Sequence, residues 1–281
     1  MPIQSEIDSL RLIYKEVLEG FSVADHDGQK IFIKHLNELD HIDVLSRKVV
    51  SFEGHLKNGV PSEQDKLKTA ISFGEWGADK EDEILSLKWT ISDNEKNLQN
   101  IIAQQRPPII KIVDGLKQKL RKITHERSSV IGETAERFAE KEAFHYLIYA
   151  SIYKDEKNRL FESFEEFYEE KEEKEAVYGE LLEKTLEKIN HKAVSQIACL
   201  GFFLNPLSYA KDNLYFFLGK PISELTHYQT SLFSLGLRNL RTLSESSGSP
   251  PDLLDQTNID DIVFWYDKEY SVAFTKRNSS S

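Results

Sequence analysis

The sequence is almost free of cysteine, and this scarcity limits the chemistry that it can carry. Cys199 is the single cysteine among 281 residues. No internal disulfide can form, which favours a reducing compartment. Because the surrounding run, residues 197–204, is apolar, we expect the thiol to lie in the core and not to act as a nucleophile.

The sequence also lacks the segments that direct a chain into or across a membrane. Its first ten residues, MPIQSEIDSL, do not combine a basic start with an apolar run, as a secretory signal does. The longest apolar region, residues 200–219, is interrupted at 205–206 and at 211–213, so it is shorter than the roughly 20 apolar residues that span a bilayer. We therefore expect a soluble, cytoplasmic protein.

An excess of positive charge is absent. The chain has 47 acidic and 36 basic residues and a formal net charge of -11. A chain of this charge repels a phosphate backbone, so nucleic-acid binding is disfavoured. The length allows one large or two modest domains, and a hydrophobic content of 40% is enough to build a core.

Common catalytic motifs are missing as well. There is no Gly-x-Ser-x-Gly sequence, no glycine-rich phosphate loop and no His-Glu-x-x-His sequence. The stretch 32–45 concentrates histidines and carboxylates, but on a helix predicted from about Gln29 to Leu56, His35 and His41 would be about 600° apart. That helix alone cannot gather a metal site. We expect no catalytic residue, cofactor or metal.

One spacing keeps a metal site open as an alternative. A glutamate followed by a histidine three residues later lies on the same side of a helix. Carboxylate-bridged di-iron bundles combine two such pairs with glutamates from two other helices. The spacing occurs at Glu38 and His41, at Glu142 and His145, and at Glu224 and His227.

Helical periodicity dominates the first two-thirds of the chain. Ser5 marks the start of a helix and Gly20 its end. From Glu81 onward apolar residues recur at spacings of three and four, and the pattern resumes after Arg106-Pro107-Pro108. Because two prolines interrupt a helix, we predict an antiparallel helical hairpin over about 81–127, centred on 106–108.

A charge-dense stretch, residues 155–188, follows a helix predicted from about Thr134 to Tyr153. It contains 13 acidic and 6 basic residues, a net charge of 6 − 13 = −7. Phe161, Phe164 and Tyr168 form an aromatic stripe through it. We interpret it as a solvated helix face with a packed inner stripe. An acidic docking surface for a basic partner is the alternative.

The composition changes after residue 196, where aromatic residues become frequent. We predict a helical body over 1–196 and a smaller C-terminal helical subdomain over 197–281. The subdomain would contain a helix over about 223–243, a flexible connector at 244–251 and a disordered tail at 275–281. Aromatic residues often form protein contacts. The candidates here are Tyr215, Phe216, Phe217, Tyr228, Trp265 and Tyr266.

Three segments resemble a group of phage proteins. Residues 216–236, 250–268 and 134–168 are similar to proteins from the structural gene clusters of large contractile-tailed bacteriophages. The resemblance covers about half of the chain. It implies a virion or assembly role, such as a tail or baseplate component or its chaperone, with phage structural proteins as partners. It also implies a location in the host cytoplasm or in the particle, and no catalytic residues.

The sequence as a whole therefore predicts a mainly α-helical bundle with a long antiparallel hairpin and an aromatic-rich helical C-terminal subdomain. Helical patterning without a cluster of convergent polar residues is typical of a protein that acts through its surfaces. We expect a non-enzymatic protein that binds other proteins during particle assembly, with a homo-oligomer through the hairpin as a further expectation. A di-metal enzyme and an acidic regulator with a basic partner are the alternatives.

Overall fold

The computed structural model describes residues 3–100, 106–170, 172–210, 212–252 and 258–279. These residues are mainly helical, which confirms the predicted fold class. The helices are α1 (Ile3–Glu19), α2 (Glu38–Lys57), α3 (Glu63–Ser72), α4 (Ala78–Asn100), α5 (Arg106–Ile131), α6 (Ala135–Ser151), α7 (Phe164–Tyr168), α8 (Glu172–Lys188), α9 (His191–Ile197), α10 (Gly201–Tyr209), α11 (Leu214–Leu218), α12 (His227–Glu245) and α13 (Ile259–Ser279). The strands are β1 (Phe21–His26), β2 (Gln29–Lys34) and β3 (Ile152–Tyr153), and a 3-10 turn covers Ile222–Glu224.

A small antiparallel sheet, in the order β1-β2-β3, interrupts the helices. Asp27 and Gly28 connect β1 to β2 with φ angles of 52° and 76°, the backbone conformation that a tight two-residue hairpin needs. Ile31 and Ile33 alternate with less buried residues, as expected in a strand. The prediction of a helix beginning at Gln29 was therefore wrong, and α2 begins at Glu38.

The chain divides into two compact units. Unit 1 comprises Met1–Ser46 and Ala143–Ser281, and unit 2 comprises Arg47–Glu142. These limits differ from the predicted boundary at 196/197. The reason is that Leu10 and Val17 of α1 belong to the same apolar core as Ile197 and the helices after it. Residues 197–281 thus share their core with the N-terminal helix.

Unit 1 contains two apolar clusters. The first joins α1 with α9, α10, α12 and α13, around Phe203, Leu232 and Tyr266. Cys199 is buried in it, as predicted, and burial raises the pKa of its thiol to about 12. The second cluster packs β2 and α6 against Phe161 and the helices α7 and α8.

Unit 2 is built on the packing of α4 against α5, with Ile84, Leu87 and Ile123 in its core. Ion pairs join the start of α4 to the end of α5, as in Lys80–Glu126 at 3.2 Å, and later residues of α4 to earlier ones of α5, as in Glu95–Lys117 at 2.7 Å. The connecting residues 101–105 lie outside the described residues, so the hairpin stays a prediction.

The two prolines have a different role from the predicted one. Pro107 and Pro108 lie in the first turn of α5, which begins at Arg106. A proline is tolerated there because the first N–H groups of a helix have no partner within the helix. The motif therefore lies at the start of a helix.

The C-terminal end also differs from the prediction. Helix α13 continues to Ser279, so the tail predicted from residue 275 is helical over most of its length. Helix α12 ends at Glu245, and residues 246–252 are irregular, in the region of the predicted connector. Within the part of the chain that the structure describes, no helix has the length and apolar character needed to cross a membrane.

Candidate functional site

The pair Glu142 and His145 does not form a metal-binding motif. In unit 2, Glu142 accepts hydrogen bonds from Arg47 Nε at 2.8 Å and from Ser51 Oγ at 2.6 Å. In unit 1, His145 is buried and its Nε2 lies 2.5 Å from Glu175 Oε1. Each member of the pair is thus engaged by a different partner, and both contacts hold helices together.

The other two pairs also belong to no larger group of metal ligands among the described residues. Glu38 and His41 are exposed on α2. Glu224 belongs to the 3-10 turn and His227 is the first residue of α12, so the two do not share a helical face. Among the described residues, no group of three or more histidine, cysteine, aspartate or glutamate side chains is placed to hold a metal ion. The structure does not gather the six residues of the di-metal alternative.

A buried polar group that the sequence reasoning missed connects α1, β1 and the residue after β2. Ser22 Oγ donates a hydrogen bond to Glu16 Oε2 at 2.7 Å and lies 2.9 Å from His35 Nε2. Lys188 Nζ donates to the other oxygen of Glu16 at 2.5 Å. Since the serine proton is directed to Glu16, the histidine donates from Nε2.

The surroundings of His35 keep its ring neutral. Its side chain is 2% exposed, and the ring meets Tyr228 edge to face at 5.5 Å. Burial lowers the pKa of His35 to about 4; the nearby Glu16 carboxylate opposes this shift and the Lys188 ammonium adds to it.

This group resembles a serine–histidine–acid triad in composition only. In a triad the histidine accepts the serine proton, and the acid orients the histidine. Here Ser22 lies between the other two residues and gives its proton to Glu16, and both Ser22 and His35 are buried. The arrangement is suited to fixing the sheet against α1 and not to attacking a substrate.

A signal for this group was present in the sequence. Asp27-Gly28 between alternating apolar residues is a strong hairpin signal. It sets the register that places Ser22 opposite Ile33. Because side chains alternate along a strand, His35 then lies on the same face as Ile33 and Ser22. Recognising the hairpin would have placed the serine and the histidine together.

The structure separates the aromatic candidates by exposure. Tyr215 and Phe216 are 63% and 72% exposed. Phe217 packs against Phe203 and Phe233 with ring centroids 5.8 and 5.9 Å away, and Tyr228 is half-buried. Phe216 and Phe217 differ although they are neighbours on the short helix α11, because one side of this helix faces the solvent and the other faces the core.

Trp265 and Tyr266 are the two candidates on α13. Trp265 is half-buried and packs against the first cluster of unit 1. Tyr266 is fully buried, and this burial raises the pKa of its hydroxyl. Tyr266 is therefore a core residue and has almost no exposed surface to offer a partner.

The exposed aromatic candidates belong to a short segment that we name the aromatic segment: residues 209–222, of which 211 lies outside the described residues. Asn213 Oδ1 accepts a hydrogen bond from Phe216 N at 2.9 Å and so begins α11. Gly219, with a φ of 68°, ends this helix. The large exposed apolar side chains of the segment are Tyr209, Tyr215, Phe216 and Ile222.

The charge-dense stretch contains α7 and α8, and its charge is partly neutralised within the chain. Glu170 pairs with Lys174 at 2.8 Å, and Glu180 pairs with Lys184 at 2.7 Å. The inner stripe contains Phe161 and Phe164, as predicted. Tyr168 is exposed and Phe167 takes the buried position instead, because the short helix α7 turns that residue toward the core.

Comparison of this chain with protein-family models, with curated proteins and with solved structures found no match. Among the features described above, the exposed aromatic segment bears on function, whereas the hydrogen-bonded group of Glu16, Ser22 and His35 fixes the fold.

Proposed function

We propose that this protein is a non-enzymatic component or chaperone in the assembly of a larger particle, and that it binds another protein through the aromatic segment. The observation that carries the proposal is the exposure of Tyr215 and Phe216 on a structured part of unit 1. Aromatic side chains dominate the energetics of many protein interfaces.

Helix α11 of the aromatic segment is suited to binding because packing and a cap fix it before a partner arrives. Phe217 and Leu214 pack on the first cluster of unit 1, and Asn213 caps the helix that carries the exposed rings. Ordering a flexible loop at an interface reduces affinity. Because α11 is already ordered in the folded chain, binding a partner requires no further ordering of it, and burial of the aromatic rings contributes fully to the affinity.

The sequence resemblance indicates the kind of particle. It suggests a phage tail or baseplate, with phage structural proteins as partners and the host cytoplasm or the virion as the location. An acidic regulator is a second candidate function, supported by the net charge of −7 over residues 155–188. It would attach to a basic partner by α7 and α8.

The test is capture of the tagged protein from the cells in which it is naturally produced. We expect particle proteins to be recovered with the wild type in comparable amounts and to be lost with the double variant Tyr215→Ser and Phe216→Ser. The matched control is Leu85→Ser with Trp89→Ser, which removes two exposed apolar side chains from α4. It should capture the same proteins as the wild type.

Point variants test the contact more directly than a deletion does. Deletion of residues 218–243, for example, would remove most of α12, which contributes Leu232 and Phe233 to the first cluster of unit 1, so its effect would report unfolding. Equal capture by the wild type and the Tyr215/Phe216 variant would contradict the proposal. Recovery of the protein without any particle protein would contradict it too.

A further inference from the structure

Helix α2 exposes an apolar stripe. Of its 20 residues, all of which the structure describes, only Ser51 is buried. Leu45 and Val49 are 59% and 48% exposed. Large apolar side chains are normally scattered when they are exposed, and a continuous exposed row of them indicates an interaction surface.

The row consists of Ile42, Leu45, Val49, Phe52 and Leu56, and it follows the repeat of a coiled coil. Its members are separated by three, four, three and four residues, the spacing of the inward positions a and d of a heptad. All of them belong to one continuous helix. We name these five residues the α2 seam. Phe52 is half-buried and the other four are exposed.

The residue types at these positions favour one kind of pairing. Ile42, Val49 and Leu56 occupy position a, where the first two are β-branched. Leu45 and Phe52 occupy position d. In parallel coiled coils β-branched residues at a with leucine at d favour two strands, and the first heptad of the α2 seam has this combination, so it suits two helices packed in parallel.

The flanking charges favour the same arrangement. Lys48 occupies position g and Glu53 the following position e, so in a parallel pair Lys48 of each chain lies beside the partner's Glu53. In an antiparallel pair with the same seam in register, Lys48 would lie beside the partner's Lys48. Like charges in contact destabilise a pair, so the parallel orientation is preferred.

We propose that a second copy of this chain packs its α2 in parallel against the α2 of the first, through the α2 seam. This interface does not depend on the proposed function, because the aromatic segment is not part of it. A symmetric contact of this kind uses the same surface on both copies.

The seam also predicts a weak association. The next position d toward the N-terminus is Glu38, which is exposed and would lie beside the partner's Glu38. This repulsion limits the seam to two heptads. We therefore expect a dimer that forms in the micromolar range and dissociates on dilution.

Sedimentation of the full chain over a range of concentrations tests the interface. The wild type should change from monomer to dimer as the concentration rises, and Leu45→Glu should remain monomeric. The matched control is Leu12→Glu, at an exposed leucine of α1, which should dimerise like the wild type. A wild type that is monomeric at every concentration, or a Leu45→Glu variant that still dimerises, would overturn the proposal.

Charge exchange tests the pairing of Lys48 with the partner's Glu53. Lys48→Glu and Glu53→Lys should each weaken the dimer about tenfold, and the double variant should restore it. Lys48 also donates to Glu140 at 3.0 Å within the chain, and recovery in the double variant separates the two roles. Glu38→Leu should tighten the dimer because it removes a like-charge contact and extends the seam.

A cysteine at position a tests the orientation. In a parallel dimer Val49→Cys places the two new thiols opposite each other, and we expect an intermolecular disulfide under mild oxidation. The native Cys199 is buried and does not compete. Failure of Val49→Cys to cross-link at concentrations where the chain dimerises would exclude the parallel seam.

Discussion

At the scale of single residues, His35 is a neutral histidine held inside unit 1 by Ser22 and Glu16. Its ring gives a hydrogen bond to Ser22, which gives its own to Glu16. A proton added to this ring would reside where water cannot solvate it, and burial therefore lowers the pKa of His35 to about 4. The protonation of this one residue is linked to the folding of unit 1.

This linkage predicts a loss of stability in acid. In the unfolded chain the histidine takes up its proton near pH 6.5, whereas in the folded chain it does so near pH 4. The stabilisation is fully present above about pH 6.5 and is lost as the pH falls toward 4. We expect the loss to be about 3 kcal/mol in the free energy of unfolding, measured by urea denaturation at several pH values.

The variant His35→Gln isolates this effect from the titration of carboxyl groups. Its free energy of unfolding should change less than that of the wild type between pH 6.5 and 4. His41→Gln, at an exposed histidine of α2, should keep the pH dependence of the wild type. The same pH dependence in all three proteins would contradict the linkage to His35.

At the scale of elements, local patterns predicted the helices better than the strands. The helices α1 and α6 lie close to their predicted limits because their apolar residues recur with the helical period. The strands β1 and β2 were missed, although Asp27-Gly28 is a hairpin signal. Two strands of six residues contain few alternations of apolar and polar residues. The stronger helical pattern that begins at Glu38 therefore led to a predicted helix that also covered β2.

Close packing between helices depends on single glycines that periodicity does not reveal. Gly236 lies on the side of α12 that faces α10, and a Cβ added there would lie 2.5 Å from Cε1 of Phe203. Gly115 lies on α5 with no neighbouring atom within 4 Å of the position of such a Cβ. The two glycines therefore differ in the space that surrounds them.

These surroundings predict opposite effects for the same substitution. Gly236→Ala should lower the free energy of unfolding by about 1–3 kcal/mol because it overpacks the first cluster of unit 1. Gly115→Ala should raise it by about 0.5–1 kcal/mol, since alanine favours a helix and meets no obstacle. Urea denaturation of both variants measures the difference. A Gly236→Ala variant as stable as the wild type would contradict the tight contact.

At the scale of the whole molecule, acidic charge is abundant but partly paired. The net charge is -11, and much of it lies in residues 155–188. Within that stretch Lys174 and Lys184 pair with nearby glutamates, and Lys188 pairs with Glu16. An interaction based on the aromatic segment and one based on acidic charge should thus respond differently to salt.

The proposed function predicts that partner capture persists in high salt. At about 1 M salt the Debye length is about 3 Å, so attraction between exposed charges is largely screened, whereas burial of aromatic rings is not. We expect the recovery of particle proteins to be similar at low and high salt. Measured recovery that falls steeply with salt would instead favour the acidic regulator.

The sequence alone determined the helical class and the absence of an internal disulfide, because helical periodicity and cysteine number are local properties. It also placed Cys199 in the core, since the residues around it are apolar. Tertiary structure alone decided that Phe216 is exposed while Tyr266 is buried, although both are aromatic. It also decided that α1 shares a core with α12 and that four of the five side chains of the α2 seam are exposed. Which side of an amphipathic element is covered depends on contacts with residues far away in the chain, and no local pattern contains them.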